Sequence, residues 1–256
     1  MLTDPRVSII DERLKDIQSI IAISSGKGGV GKSLVASTLA LALTKKRYKV
    51  GLFDLDFTSP STHMILGIKD VQPKEDKGII PPNVHGLEYM SIVYYSGDFV
   101  TPLRGTDASN VLVELLSITK WSKLDFLILD MPPGISDTTL DLLRLVKRVK
   151  FIIVTTSSVL AFETVKKLAS LLKDLQKPVL GVIENMKRDK SDTIEKEAGK
   201  LGFRYLGSIP YDEKLEEAIG YLSQIEKTDA ARSIAAITLG VSFGKRVLIH
   251  APDSRR

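Results

Sequence analysis

Short apolar runs alternate with stretches of helical spacing along most of the chain. The apolar runs predict strands just before residue 26 and at 48–54, 87–93, 124–130, 150–156, 178–183 and 205–209. The helical spacing predicts helices at 5–17, 34–44, 108–118, 138–149, 161–175, 193–201, 213–220 and 227–240. Two stretches rich in turn-forming residues, 69–86 and 94–104, are predicted to be irregular.

The repeated order of strand and helix indicates an α/β fold. It predicts a single doubly wound, mainly parallel sheet with helices on both of its faces. We expect one domain over residues 1–256, with a lead-in helix in residues 1–18 and an irregular tail at 241–256.

A glycine-rich turn joins the first predicted strand to the first long helix. It fits the phosphate-loop pattern G-x-x-x-x-G-K-[ST], in which glycines let backbone N–H groups approach an anion. Lys32 is expected to contact the β- and γ-phosphates of a nucleotide, and the Ser33 hydroxyl is expected to bind Mg²⁺. The candidate nucleotide-binding residues here are Gly26, Lys27, Gly28, Gly29, Val30, Gly31, Lys32, Ser33 and Leu34.

Two further predicted strands end in aspartate, near where the phosphate loop would lie. The run at 48–54 leads into Asp54 and Asp56, which strand alternation places on the same side. One of these carboxylates can steer the hydration shell of Mg²⁺, and the other can orient the water that attacks a phosphate. The run at 124–130 ends in Asp130 and fits the Walker B pattern, in which a strand brings one carboxylate to Mg²⁺.

Composition narrows the classes of function. The 256 residues are 43% hydrophobic and include no cysteine, which excludes disulfides and any zinc or iron–sulfur site built from this chain's thiolates. The net charge of +5 is scattered rather than clustered, so it does not indicate nucleic-acid binding. No signal peptide and no membrane-spanning run are recognised, and glycines and a proline interrupt the tail where a membrane-anchoring helix would lie. We therefore expect a cytoplasmic protein that does not bind membranes.

Four separated motifs resemble the Mrp family, within the ParA/MinD class of P-loop ATPases. They are GKGGVGKS at 26–33, WSKLDFLILDMPPGISD at 121–137, ENM at 184–186 and GSIPYD at 207–212. The resemblance implies a MinD-like P-loop fold, hydrolysis of ATP with Mg²⁺, and a homodimer that is closed by ATP.

The same resemblance implies roles for individual residues. Lys27 would reach across the dimer to the partner's nucleotide, Asp56 would orient the attacking water, and Asp54 would lie near the metal. Asn185 would read the adenine edge, since its amide can both donate and accept a hydrogen bond. Pro210 lies in the segment that borders the base in this class.

The biological task stays open between three hypotheses. In many Mrp proteins a C-x-x-C pair follows the ENM motif, whereas residues 187–192 here read KRDKSD. The first hypothesis is assembly of a metal centre, usually iron–sulfur, with thiols supplied by a partner protein. The second is an ATPase partner of a nickel metallochaperone in hydrogenase maturation, which the stretches 81–86 and 94–105 resemble. The third is a MinD/ParA-like positioning or partition module, which would bind membrane or DNA.

Overall fold

The structure is a computed structural model and describes residues 5–96 and 105–240. The helices in these ranges are α1 Pro5–Leu14, α2 Lys32–Lys45, α3 Thr62–Ile65, α4 Val93–Ser96, α5 Thr106–Ile118, α6 Asp137–Leu145, α7 Val159–Asp174, α8 Thr193–Lys200, α9 Glu213–Ala218, α10 Leu222–Ile225 and α11 Asp229–Gly240. The strands are β1 Ser19–Ser25, β2 Val50–Asp54, β3 Lys74–Glu75, β4 Ile79–Ile80, β5 Asn83–Val84, β6 Leu87–Ser91, β7 Phe126–Asp130, β8 Val149–Thr156, β9 Val179–Lys187 and β10 Tyr205–Pro210. The tail at 241–256 and residues 97–104 of the second irregular stretch lie outside the described residues.

One large sheet organises the described part of the chain. Its eight strands follow the order β10-β9-β8-β1-β7-β2-β6-β5, and all neighbours are parallel except β5 and β6. The predicted α/β fold with a mainly parallel sheet is therefore confirmed. Strand β1 has β8 on one side and β7 on the other. The strand order therefore reverses at β1. Such a reversal of strand order opens a crevice at the carboxyl ends of the strands.

Strand β1 is buried on both of its faces. Ile20 and Ala22 pack into the apolar cluster on one face of the sheet, while Ile21 and Ile23 pack into the cluster on the other face. Helix α2, which follows the glycine-rich turn, is itself buried along most of its length. The turn at residues 26–31 is therefore held between two elements that the core fixes firmly.

Several predicted boundaries are wrong by a few residues. Strand β9 continues through Glu184–Met186, although this tripeptide was expected to follow the strand. Helix α6 ends at Leu145 rather than at residue 149, because Val149 already pairs with Ile20 in the sheet. The stretch at 69–86 contains the short strands β3, β4 and β5, so it is not irregular throughout. Across the described ranges, every helix is too short or too polar to cross a lipid bilayer.

Candidate nucleotide site

A cavity of about 260 Å³ opens at the carboxyl edge of the sheet, over the turn after β1. It is lined by Ser25, Lys27, Gly28, Gly29, Val30, Gly31, Lys32, Ser33, Leu34, Asp56, Ser59, Ser61, Ile65 and Pro133. All the predicted loop residues except Gly26 therefore line one cavity. Because α2 begins at Lys32, the unpaired N–H groups of its first turn add to the attraction of this cavity for an anion.

The glycines of the loop are required for two different reasons. Gly29 and Gly31 have φ angles of 75° and 76°, in the left-handed region that other residues rarely adopt. At Gly26, a Cβ would come within 2.2 Å of the Thr164 hydroxyl in α7. The segment after β7 also lies against the loop, since the Gly134 N–H donates to the carbonyl of Ser25 at 2.9 Å. The loop is thus packed between α7 and this segment.

Lys32 forms a buried ion pair with the aspartate at the end of β7. Its ammonium lies 2.5 Å from Oδ1 of Asp130, and the two side chains are 6% and 0% exposed. The ammonium also donates to the Ser33 hydroxyl at 3.3 Å. Burial raises the pKa of the Asp130 carboxyl, and the positive charge of Lys32 opposes this shift. A lysine that was predicted only as a phosphate contact is therefore also bound to a predicted metal ligand.

Asp54 is occupied by the segment that follows it. Its Oδ2 accepts hydrogen bonds from the N–H of Ser61 at 3.2 Å, the N–H of Thr62 at 3.1 Å and the hydroxyl of Thr62 at 2.6 Å. Its Oδ1 accepts from the N–H of Asp56 at 3.1 Å. Burial raises the pKa of Asp54, while the bonds from Thr62 oppose the shift. Asp54 therefore shapes residues 55–62, and its role beside a metal stays a prediction.

Asp56 lines the cavity with one carboxylate oxygen engaged. Its Oδ1 accepts from the hydroxyl of Thr58 at 2.9 Å and from the N–H of Ser59 at 3.2 Å. Among the described residues nothing donates to Oδ2, which leaves this oxygen able to accept a hydrogen bond from a water molecule. The geometry is compatible with the predicted water-orienting role.

Lys27 has the opposite environment to Lys32. Its side chain is exposed at the cavity, and its ammonium forms no hydrogen bond or ion pair with any residue in the described ranges. Its backbone carbonyl accepts a hydrogen bond from the Ser25 hydroxyl at 3.0 Å. The two lysines of the loop therefore differ: one is held inside this chain, and the other is available to a group outside it.

Asn185 and Pro210 were predicted to lie at the base, and neither lines the cavity. Asn185 is 2% exposed, and its Nδ2 donates to the carbonyl of Val30 at 2.9 Å. Pro210 ends β10 and pairs with Lys187 of β9. The structure thus places Asn185 against the back of the phosphate loop, and the contact of either residue with adenine stays a prediction.

Five cavity residues were not predicted as site residues: Ser25, Ser59, Ser61, Ile65 and Pro133. Ser25 ends β1 directly before Gly26, so its place beside the loop motif was a usable signal. Ser59 and Ser61 follow Asp56 in a polar segment, and Pro133 lies in the PPG motif, so their position in the chain was a usable signal. Ile65 is apolar and carries no such signal. Only the folding of α3 over the loop brings it to the cavity.

The residues present fit a Mg²⁺ ion bound together with nucleotide. Oδ2 of Asp130 is buried and has no hydrogen-bond partner in the part of the chain that the structure describes. The Ser33 hydroxyl lies in the first turn of α2. Within residues 5–96 and 105–240 no three acidic, histidine or cysteine side chains form a metal cluster. Mg²⁺ needs none, because it usually takes one or two protein oxygens together with phosphates and waters.

Solved structures share this architecture. A nucleotide-binding protein from Archaeoglobus fulgidus, in complex with ADP, is 29% identical with a TM-score of 0.73, covering 86% of this chain and 93% of that one. The cell division ATPase MinD of Pyrococcus furiosus is 22% identical with a TM-score of 0.66, covering 87% and 98%. At that identity MinD supports the fold alone, and it confirms the predicted MinD-like architecture.

Two curated relatives are both named iron-sulfur cluster carrier protein. The iron-sulfur cluster carrier protein of Aquifex aeolicus is 39% identical over 222 residues, which cover 80% of this chain and 61% of the relative. That of Methanococcus maripaludis is 37% identical over 226 residues, covering 82% and 78%. This chain thus spans only about three-fifths of the length of the Aquifex protein.

A match between the amino-acid sequence and a protein-family model gives the same assignment. The model described as "ParA: NUBPL iron-transfer P-loop NTPase" matches residues 16–241, a range that runs from just before β1 to the end of α11. Because this match covers far more than half of the sequence, the chain belongs to the ParA family of P-loop NTPases, in its NUBPL iron-transfer branch.

Proposed function

We propose that this chain is a Mg²⁺-dependent ATPase whose ATP-bound form closes into a homodimer, and that this switch serves the transfer of iron–sulfur or related metal centres. One observation carries the proposal: two lysines of a single phosphate loop have opposite environments. Lys32 is buried and paired with Asp130, whereas the side chain of Lys27 is exposed and its ammonium has no hydrogen-bond or ion-pair partner among the described residues. The first suits phosphate binding within one chain, and the second suits a phosphate held by another copy.

Binding of ATP would use groups that already point at the cavity. The N–H groups of the loop and the ammonium of Lys32 would hold the phosphates, with charge-assisted hydrogen bonds from the lysine. Ser33 and Asp130 would hold Mg²⁺, which neutralises negative charge on the phosphates when it is bound. Lys32 would then divide its contacts between Asp130 and the nucleotide.

Hydrolysis would use Asp56. Its free Oδ2 would accept a hydrogen bond from a water molecule and so aim the water oxygen at the γ-phosphorus. As the water oxygen bonds to this phosphorus, the bond between the phosphorus and the bridging oxygen would break, ADP would leave with that oxygen, and the water would give up a proton to the released phosphate. Such positioning is most of what phosphoryl transfer asks of a protein.

The surface around Lys27 has the features of a surface that a second copy of this chain would bury. Ile135 follows Gly134, which is bonded to the loop, and its side chain is 46% exposed. Leu160 is 74% exposed and lies one turn before Thr164, on the same face of α7 that packs against Gly26. Apolar side chains next to an unpaired cation are typical of a surface that becomes buried on association.

The metal centre would have to be held largely by a partner protein. The chain has no cysteine, and thiolates are the usual ligands of iron–sulfur clusters. The segment after β9, where many Mrp proteins carry thiols, is a closed polar turn. There the N–H of Ser191 donates to Asp189 at 3.0 Å, and the ammonium of Lys187 donates to the carbonyl of Ser191. We therefore propose that the nucleotide state changes the affinity for a thiol-bearing partner.

The absence of cysteine also favours a second candidate function. A nucleotide switch that binds a nickel metallochaperone in hydrogenase maturation needs no metal ligand of its own. Affinity capture in the presence of ATP separates the two, since the first proposal expects a cysteine-rich cluster scaffold and the second a nickel-binding protein.

The proposed switch is tested by the mass of the protein in solution. We expect Asp56→Ala to bind ATP and to lose hydrolysis, so that light scattering with ATP and Mg²⁺ reports a dimer. With ADP the same variant should be a monomer, and the double variant Asp56→Ala/Lys27→Ala should stay monomeric with ATP. A monomer under all conditions would refute the dimeric switch, and unchanged turnover in Asp56→Ala would refute the role of Asp56.

A further inference from the structure

The side-chain amide of Asn185 is bound to the phosphate loop from behind. Its Nδ2 donates to the carbonyl of Val30 at 2.9 Å, across 155 residues of sequence. A backbone carbonyl can only accept, so the amide must present its nitrogen here. Asn185 is 2% exposed and Val30 is 2% exposed, so the bond is shielded from water. Shielding makes the loss of such a bond costly, because nothing replaces the donor.

This bond sets the direction of the next N–H group. A peptide unit is planar and trans, so the carbonyl of Val30 and the N–H of Gly31 point in opposite directions. Since the carbonyl is held towards Asn185 on one side, the N–H of Gly31 faces the other side. Gly31 lines the cavity, and an N–H directed there is a donor for a phosphate oxygen.

The space beside Gly31 is filled by the same segment. A Cβ at Gly31 would come within 2.3 Å of Nδ2 of Asn185 and within 3.2 Å of the terminal methyl of Met186. The left-handed φ of 76° and this close contact both require glycine at position 31. The loop and the end of β9 therefore fit each other closely.

Asn185 is held in place by a buried carboxylate next to it. Glu184 is 1% exposed and accepts hydrogen bonds from the Ser157 hydroxyl at 2.8 Å, the Lys187 ammonium at 2.9 Å and the Tyr205 hydroxyl at 2.7 Å. These partners come from the residue directly after β8, from β9 and from β10. The end of β9 is thereby fixed to both of its neighbouring strands, which gives Asn185 a rigid base.

We infer that Asn185 is a positioning residue for phosphate binding, which orients the Val30–Gly31 peptide so that the N–H of Gly31 meets the nucleotide phosphates. This inference rests on the proposed function, because it requires the cavity to bind a triphosphate. It assigns to Asn185 an action on the phosphates that does not depend on the base. A residue that reads adenine would act on the base alone.

Two ligands separate these roles: ATP, and inorganic tripolyphosphate, which has no base. Their dissociation constants are measured by calorimetry with Mg²⁺, directly or by displacement, for the native chain, Asn185→Ala and Asn185→Asp. We expect both variants to bind both ligands more weakly by the same factor, about tenfold, since each leaves the buried Val30 carbonyl without its donor. Asn110→Ala, at an exposed asparagine of α5, is the matched control and should bind like the native chain.

Each alternative outcome has a distinct meaning. Weaker binding of ATP with unchanged binding of tripolyphosphate would overturn the inference in favour of base reading, and unchanged binding of both would overturn it outright. If the native chain bound neither ligand, the proposed function itself would fail. A test without variants is hydrogen exchange in the nucleotide-free chain, where one Nδ2 proton of Asn185 should be protected. Rapid exchange of both of its protons would contradict the inference.

Discussion

Asp54 and Asp130 end neighbouring strands and are paired in register, yet their hydrogen-bond partners differ. Both side chains are fully buried. Asp54 accepts four hydrogen bonds from residues 56–62 of its own segment, and both of its oxygens are engaged. Asp130 is held by Lys32 through Oδ1, and its Oδ2 has no partner in the described part of the chain.

The difference shows how one residue type at one depth can serve two purposes. A carboxylate whose oxygens all accept hydrogen bonds from its own loop gives that loop a fixed shape. A buried oxygen without a partner costs free energy, and such a cost is tolerated where a ligand will later supply the missing contact. The two aspartates therefore differ in role: Asp54 shapes the loop that carries Asp56, and Asp130 is the carboxylate that we propose binds Mg²⁺ together with nucleotide.

The largest expected effect comes from removing Lys32, the cation that lies near both carboxylates. Lys32→Ala should abolish measurable ATP binding, because it removes a charge-assisted phosphate contact. It should also lower the free energy of unfolding by about 3–5 kcal/mol, since it leaves a buried carboxylate without its partner. Uptake of a proton by Asp130 would offset part of that loss. Calorimetry with ATP and urea denaturation measure the two effects.

The matched control for this variant is Lys45→Ala in the same helix. The Lys45 side chain is 58% exposed and pairs with Glu226 at 2.7 Å. Exposed pairs contribute little, so the loss should stay below about 1 kcal/mol with unchanged ATP binding. ATP binding by Lys32→Ala within threefold of the native chain would mean that the loop N–H groups alone hold the phosphates.

A smaller and more selective effect is expected from Asp130→Asn. The amide can still accept from Lys32, so ATP should bind, but the negative charge that attracts Mg²⁺ is lost. The Mg²⁺ concentration for half-maximal turnover should rise by about tenfold or more. Titration of ATPase activity with Mg²⁺ measures this. An unchanged Mg²⁺ requirement would show that the unpaired Oδ2 is not a metal contact.

Sequence alone predicts the part of this site that is local in the chain. The glycine-rich loop, the strand that precedes it and the three aspartates all follow from short patterns, because their geometry is set by a few neighbouring residues. The contact of Thr164 with Gly26 and the bond from Asn185 to Val30 join residues that are more than 130 positions apart. No local pattern encodes such pairs, since they depend on how strands and helices assemble.

The two aspartates show a second limit of sequence patterns. Both were predicted to serve the metal, because a carboxylate at the end of a strand gives the same signal in each case. Which oxygens remain free depends on the path of the following residues. After Asp54 the chain turns back, so that the N–H and hydroxyl of Thr62 reach the carboxylate. After Asp130 the chain continues into Pro132 and Pro133, which have no N–H to donate.

The smallest effect is expected at Asp54, and it tests this difference in role most directly. Asp54→Asn offers one acceptor oxygen instead of two, so one bond to the loop is lost and the free energy of unfolding should fall by about 1–2 kcal/mol. Thr62→Val keeps the carboxylate but removes the hydroxyl that donates to Asp54 and is bonded to the buried Tyr89 hydroxyl at 2.9 Å, and should cost about 2 kcal/mol. Urea denaturation measures both losses, and hydrogen exchange should quicken at residues 55–62 in both variants.

The Mg²⁺ requirement of each variant should match that of the native chain. A rise in that requirement for Asp54→Asn, but not for Thr62→Val, would show that Asp54 also serves the metal and would remove the contrast with Asp130.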